Sequence, residues 1–378
     1  MIIVMRADAL PDSVEVRQVV ELAERYPDVT TQVRAIRGAT RSLTEVYLLG
    51  STGSIPSAPF EEFPAVEKVI RIRERYRTIG RHDGQAEEVG FEYRGLQFSQ
   101  RTLHVFAGLC AVDSRESAEA TFRALHEVGL RTARAGVYKP RTSPYDFQGL
   151  GAACLPWLFE LAGRYGIEVI AMEVTRETHI DEIFQALEAA GRPTGVMLQI
   201  GTRNAQNFEL LKAVGQQHEH PVLYKRGMGI SLEESLNAVE YIASSGNDRI
   251  VFCLRGVKSH LGDPHRNLVD FAHVPVVRRL TRLPVCVDPS HSVGKKSAGP
   301  EGLLDILHAT AQGVIAGANM VLVDVHPDPS TALCDGPQAL LLPELRHFVG
   351  DVALVRETWE KRRALLAELA GAAGAGAA

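Results

Sequence analysis

Four side chains able to hold a divalent cation, Cys110, His291, Asp324 and Asp335, are far apart in the chain, and each stands at or shortly beyond the end of an apolar run. Sulfur, nitrogen and oxygen together suit a borderline transition metal better than magnesium, which prefers an all-oxygen octahedron. Interleaved with them are cations at similar positions: Arg134, Lys139, Arg141, Arg203, Lys225, Arg226, Arg255 and Lys258. The densest stretch, Arg134 to Ser143, also holds Pro140, Thr142 and Ser143. Pro140 fixes its own φ and biases Lys139 toward an extended backbone, so Lys139 and Arg141 are presented stiffly. Phosphate and carboxylate both suit such a stretch, because Arg forks match either bidentately. Tyr145, Phe147 and Leu150 follow directly, which predicts a packed loop rather than a solvated one.

Taken singly, each of these residues has a plainer explanation. Cys110 fits a small core side chain, His291 a hydrogen-bonded turn residue after Asp288-Pro289-Ser290, and Asp335-Gly336-Pro337 a turn. The set gains weight from the elements that must position it. From Leu103 onward the chain alternates short apolar runs with helix-length segments: 103–107, 130–135, 167–171, 195–200, 221–224, 249–254, 283–287 and 319–323. Eight such units over about 250 residues predict a (β/α)8 TIM barrel, whose parallel strands are buried on both sides and read as continuous apolar runs. An open doubly wound sheet is the alternative, and the lack of G-x-G-x-x-G after the first strand disfavours it. In a barrel the candidate residues sit at strand ends facing one mouth, with Glu173 after the third strand and Asp288 and His326 after the seventh and eighth. That mouth would carry an uncompensated positive field without an anionic ligand.

Residues 1–75 alternate strand and helix patterns in βαββαβ order, which predicts a small α+β ferredoxin-like unit with a helix over 59–69. The polar stretch 73–90 reads as a connector, and a hairpin with Gly95 at its turn completes a linker over 76–100. The barrel is expected over 101–350, followed by a helix from 351 to 370 and a frayed tail to 378.

Lys and Arg number 41 against 46 Asp and Glu, a net charge of −5, and no basic block argues for nucleic acid or membrane binding. No apolar run approaches the roughly 20 residues of a membrane span, so a cytoplasmic protein is expected. The five cysteines are widely spaced without CxxC, against a disulfide framework; Cys154, Cys253 and Cys286 read as core.

The ordered segments RAGVYKPRTSPYDFQGLG, LQIGTRNAQNF, VLYKRGM, FCLRGVK, VDPSHSVG and VDVHPDPSTALCDGPQ resemble the type I 3-deoxy-D-arabino-heptulosonate 7-phosphate (DAHP) synthases, most closely the subtype with an N-terminal ferredoxin-like domain. The resemblance covers nearly the whole chain. It implies a metal-dependent condensation of phosphoenolpyruvate with erythrose 4-phosphate, with one divalent ion (Mn, Fe, Co, Zn or similar). By matching position it implies Cys110, His291, Asp324 and Asp335 as metal ligands. Arg134, Lys139, Arg203, Lys225 and Arg255 would surround phosphoenolpyruvate, and Arg141, Thr142 and Ser143 the aldose phosphate. The KPRT form resembles the enzymes that accept erythrose 4-phosphate. Lys139 or metal-bound water is the candidate proton donor and Glu173 a base or water-orienting group, with Cys110 and His291 at the catalytic metal. A homo-oligomer, dimer or tetramer, and an aromatic amino acid effector at the N-terminal domain are further expectations of the resemblance.

Three features depart from the family pattern. Gly108-Leu109-Cys110-Ala111 lacks the proline of the family's GPCS segment, Asp324 stands where the family usually has glutamate, and effector residues cannot be matched in the N-terminal domain. Two other readings therefore stay open: the same chemistry on another aldose phosphate, and a non-catalytic regulatory homologue.

Overall fold

The computed structural model describes residues 1–37, 42–71, 76–82 and 90–375. At its centre eight parallel strands close into a barrel: β7 (His104–Leu109), β8 (Thr132–Ala135), β9 (Val169–Val174), β10 (Gly195–Ile200), β11 (Val222–Lys225), β12 (Ile250–Leu254), β13 (Val285–Val287) and β14 (Met320–His326). Closure is direct, since β14 pairs with both β13 and β7, Asp324 standing opposite Gly108. Strands β8 to β13 are buried residue for residue, which is why they read as continuous apolar runs.

Helices α3 (Arg115–Glu127), α4 (Leu155–Arg164), α5 (Thr178–Ala189), α6 (Phe208–Gln216), α7 (Leu232–Ser244), α8 (Val274–Leu280) and α10 (Asp305–Ile315) connect the strands on the outside, together with the short α9 (Pro289–Val293). Each long helix turns an apolar stripe inward, such as Leu236, Val239 and Ile242 of α7, whose start is fixed by a Ser231/Glu234 capping box. The last helix, α11 (Leu345–Ala375), is longer at both ends than the 351–370 expected, in keeping with its Ala-, Leu- and Glu-rich composition.

The N-terminal unit has β1 (Ile2–Met5), α1 (Val14–Ala23), β2 (Val29–Arg37), β3 (Ser42–Gly50), α2 (Ala58–Glu61) and β4 (Val66–Ile70), in the βαββαβ order expected, as an antiparallel sheet ordered β2-β3-β1-β4. The second helix is one turn rather than the 59–69 expected, because Val66 onward is drawn into the sheet beside β1. One sheet face packs Ile3, Met5, Val46 and Leu48 against the helices; Ile2, Val4 and Tyr47 are buried on the other. Arg34 reaches the barrel at Asp248 (3.2 Å) and the Ala243 carbonyl (2.8 Å), while Arg282 of the barrel donates to the Tyr47 hydroxyl at 2.6 Å.

Residues 72–75 and 83–89, most of the expected connector, are outside the described set. Beyond them β5 (Gly90–Tyr93) and β6 (Leu96–Ser99) form the expected hairpin, turning at Arg94-Gly95. Phe91, Tyr93, Leu96 and Phe98 pack on Phe106, Val169 and Met197 and plug the barrel floor, leaving the opposite end for chemistry. Among the described residues no helix is long and apolar enough to cross a membrane.

Candidate active site

The C-terminal ends of the strands surround a polar cavity of about 150 Å³. Its wall brings together Lys139, Arg141 and Thr142 from the loop after β8, Glu173 from β9, Arg203 after β10, Lys225 from β11, Arg255 after β12, and His291 and Asp335 from the last two connections. Residues spread over most of the chain thus line one space. Cys110, at the end of β7, and Asp324, in β14, lie just beneath this wall with Arg134, all three buried.

The metal-ligating types do converge. Cys110 Sγ lies 3.7 Å from His291 Nε2 and 3.1 Å from Asp335 Oδ2, and those two atoms are 3.5 Å apart. Local backbone explains the aim. Gly108 adopts a φ of +148° where a Cβ would meet the Arg134 carbonyl at 2.2 Å, so β7 can end close against β8 and deliver Cys110. Asp335 has a left-handed φ of +53°, tolerable for Asp, which turns its carboxylate back toward His291. His291 is held by Asp288, which caps the start of α9 through the His291 N–H (3.1 Å) and accepts from Nδ1 at 3.1 Å. That contact leaves Nε2 facing Cys110. Burial alone would lower the His291 pKa, but the Asp288 carboxylate outweighs it and raises the value to about 10. The Cys110 thiol is pushed up by its contact with Cys334, by burial and by the Asp324 charge. Asp335 is pulled the other way: burial raises it, yet the hydrogen bond and charge of His291, with Arg266, hold it well below the usual carboxylate range.

Asp324 is also beside His291, but its carboxylate is already engaged. The Arg134 guanidinium sits against Oδ1 and the Gln338 amide donates to Oδ2. Cys110, His291 and Asp324 offer ligand atoms within 4.8 Å of one another, as do Cys110, Cys334 and Asp335, and with Asp335 Oδ2 3.5 Å from His291 Nε2 this mixed sulfur, nitrogen and oxygen set fits a borderline divalent metal.

The positive field of the mouth is more compensated than the strand ends suggested. Lys139 pairs with Glu173 at 3.3 Å and Lys225 with Asp288, in addition to Arg134 with Asp324. Glu173 fits only because Gly201 follows β10: a Cβ there would come within 1.8 Å of Oε1. Burial lowers the Lys139 pKa, but the charges of Cys110 and Glu173 more than reverse this, so the ammonium keeps its proton. Arg255 differs: it is 2% exposed, and its Nε and Nη1 have no hydrogen-bond partner among the described residues. Burial lowers its pKa, and a guanidinium in that position calls for an anion.

Several expectations about the loop and rim are corrected. Tyr145 is 96% exposed and Leu150 faces outward; only Phe147 packs, against Cys110, Ala111 and Cys334. Arg226 turns away to Asp270 at 2.9 Å, His326 pairs with Asp113, and Lys258 is exposed away from the cavity. Ser143 does not reach the cavity wall; its hydroxyl accepts the Tyr145 N–H, while Thr142 accepts from exposed Arg203 at 3.1 Å. Cys154, Cys253 and Cys286 are core, as expected.

Strand-end reasoning missed two residues. Arg266 lines the cavity and donates to Asp335 Oδ1 at 3.0 Å, yet it lies on the long connection well beyond the end of β12. Cys334 also lines the cavity, and its only sequence signal was adjacency to Asp335.

Fold and site together define a TIM-barrel enzyme whose strand ends bring basic side chains beside a group of candidate metal donors. Residues 94–358 match the DAHP synthetase I family. The chain is 35% identical over 352 residues, 93% of its length and 96% of the relative's, to phospho-2-dehydro-3-deoxyheptonate aldolase of Thermotoga maritima. It is 30% identical over 72% of its length to 2-dehydro-3-deoxyphosphooctonate aldolase of Nitrosococcus oceani, covering 95% of that protein. The crystal structure of the Thermotoga maritima DAHP synthase superposes with a TM-score of 0.66 at 32% identity, covering 96% of this chain and 97% of that one. A truncated form of the Thermotoga maritima enzyme covers 77% of this chain, with a TM-score of 0.63. This chain belongs to the DAHP synthetase I family.

Proposed function

We infer that this protein condenses phosphoenolpyruvate with erythrose 4-phosphate and water, giving DAHP and inorganic phosphate, the first step of the shikimate pathway. The observation that carries this reading is one cavity lined by His291, Asp335 and a buried Arg255 whose Nε and Nη1 have no hydrogen-bond partner among the described residues, with the candidate metal donors Cys110 and Asp324 grouped beside His291. Two anions and a polarised aldehyde would be brought together there. Erythrose 4-phosphate is favoured over a five-carbon acceptor because the match to the heptonate aldolase spans the N-terminal unit as well, whereas the octonate aldolases match 65–72% of the chain. The KPRT stretch, Lys139 to Thr142, supports the same choice.

Cys110, His291 and Asp335 would hold the metal, with Asp324 beside them; when bound, it supplies Lewis acidity toward the aldehyde carbonyl. Arg255, Lys225 and Arg203 bind the enol phosphate, with Arg134 buried behind them, and Arg141 and Thr142 bind the aldose phosphate, Ser143 bracing the loop. Holding two anions in line despite repulsion is an orientation task. The enol double bond supplies the electron pair for the new bond from C3 to the aldehyde carbon. Lys139 stays charged beside Glu173, so it stabilises the developing alkoxide through its Nζ hydrogen bonds and is a poorer proton donor than its position alone suggested. Glu173 orients the water that adds at C2; one proton of that water passes to the new alkoxide, and as the C2–O bond to phosphate breaks the C2 hydroxyl proton goes to the departing phosphate, leaving the C2 ketone and hydrogen phosphate.

A cytoplasmic homo-oligomer with an aromatic amino acid effector at the N-terminal unit belongs to the same reading and rests on the family resemblance. The test is phosphate release by purified protein supplied with both substrates and manganese, cobalt or zinc in turn. Release that requires both substrates is expected, and none with any metal would overturn the reading.

A further inference from the structure

Among the described residues three carboxylates line the active-site cavity: Glu173, Asp335 and Asp146. Glu173 is engaged at the centre by Lys139, and Asp335 by His291 and Arg266. Asp146 belongs to the rim loop after β8 instead. Ser143-Pro144-Tyr145-Asp146 forms a β-turn there, with Pro144 at the position its fixed φ suits and the Asp146 N–H donating to the Ser143 carbonyl at 3.3 Å. The turn doubles the loop back, so that the Lys139 N–H meets the Gln148 carbonyl at 2.9 Å and Asp146 comes within reach of Arg141.

Arg141 Nη2 pairs with Asp146 Oδ2 at 3.3 Å, while Nη1 reaches the Phe147 and Leu333 carbonyls at 3.5 Å each, the long limit of a hydrogen bond. The two side chains are 22% and 43% exposed, so water and counter-ions screen the pair and an incoming anion can break it. A guanidinium takes carboxylate and phosphate oxygens on the same edges. Asp146 therefore occupies a cation that a substrate phosphate would use. Arg255, at the other end of the cavity chemistry, has no such companion on Nε or Nη1 among the described residues.

We propose that Asp146 is an internal competitor for the acceptor's phosphate: its carboxylate holds Arg141 at the rim of the empty site and must be displaced before the aldose phosphate binds. This inference rests on the assignment of Arg141 to the aldose phosphate in the proposed function and adds a residue that sets acceptor affinity. The carboxylate keeps that affinity below what the cations alone would give. It likewise discourages inorganic phosphate, a product of the reaction, from settling on Arg141.

The experiment is steady-state kinetics of the full-length, metal-loaded protein with erythrose 4-phosphate varied at saturating phosphoenolpyruvate, and the reverse. Asp146→Asn keeps the side chain's shape and removes its charge. Its KM for erythrose 4-phosphate should fall about two- to fivefold, the scale of an exposed ion pair, with the KM for phosphoenolpyruvate unchanged. Inhibition by inorganic phosphate against erythrose 4-phosphate should tighten in parallel. Salt weakens both the phosphate contact and the pair that opposes it, so the wild-type KM should rise less steeply with ionic strength than the variant's. In an Arg141→Gln background the same substitution should bring no fall, because the cation competed for is gone. Asp146→Ser, with circular dichroism of every variant recorded alongside, must repeat the effect. A KM for erythrose 4-phosphate that rises or stays level in both charge-removing variants would show that Asp146 only braces the loop, and overturns the proposal while leaving the proposed function standing. Absence of turnover in wild type overturns the proposed function itself, and the proposal with it.

Discussion

Asp288 accepts a hydrogen bond from His291 Nδ1 at 3.1 Å, and this single contact decides which face of the imidazole meets the other ligands. The carboxylate also holds the ammonium of Lys225. It therefore couples the metal site to the anion site by holding one residue of each. Asp288→Asn should weaken metal binding by roughly 10–100-fold, the usual cost of losing such a supporting carboxylate. Equilibrium dialysis against zinc or cobalt reads the effect; unchanged affinity would mean that α9 alone orients His291.

Metal binding should release protons. In the metal-free site the Cys110 thiol is pushed up and His291 is raised to about 10, so both are protonated at neutral pH, whereas a ligand must be thiolate or neutral imidazole. Close to two protons per ion are expected from these two groups between about pH 6 and 8. Affinity should accordingly climb with pH across that window. Calorimetry in buffers of differing ionisation enthalpy counts the protons, and a count near zero would contradict the arrangement.

Arg255→Gln removes the cation whose Nε and Nη1 have no hydrogen-bond partner among the described residues. Hydrogen bonds to charged groups contribute roughly 1.5–3 kcal/mol each, so phosphoenolpyruvate affinity should fall about 100-fold. Because this buried cation has two nitrogens without a hydrogen-bond partner among the described residues, the variant should be no less stable to urea than wild type. Lys139→Met is the contrasting case: turnover should vanish while cobalt binding remains. Retained turnover would mean that Lys139 is not the charge facing the new alkoxide.

At the barrel floor, His220 is 4% exposed and meets the Tyr93 hydroxyl of the plugging hairpin at 3.4 Å. Burial lowers its pKa from 6.5 to about 4. The unfolded chain therefore takes up a proton near pH 6.5 that the folded chain refuses until near 4, so stability is fully present above 6.5 and declines as pH falls through this window. The loss is about 3 kcal/mol by pH 4. Urea unfolding of His220→Gln should show a shallower acid decline than wild type, and parallel curves would remove His220 as the cause.

The barrel was legible because parallel strands buried on both sides leave unbroken apolar runs, and convergence of Cys110, His291 and Asp335 followed from strand order alone. What escaped was anything decided by side-chain direction. The sequence placed Arg226 beside Lys225, but alternation along the strand sends one to Asp270 and the other to the cavity. Aromatic composition after Arg141 suggested a packed loop, yet only Phe147 finds a partner. Cys334 and Arg266 lie on long connections whose course no periodicity records. The shortened Asp324 was visible as a departure, but its capture by Arg134 and Gln338 required coordinates.

The central claim is most directly tested by product identity in a competition. Metal-loaded protein would be incubated with phosphoenolpyruvate and equal amounts of erythrose 4-phosphate and arabinose 5-phosphate, and the products resolved by mass spectrometry. The account predicts the seven-carbon ulosonate phosphate, formed together with one inorganic phosphate. A predominant eight-carbon product, or no condensation product at all, would contradict it.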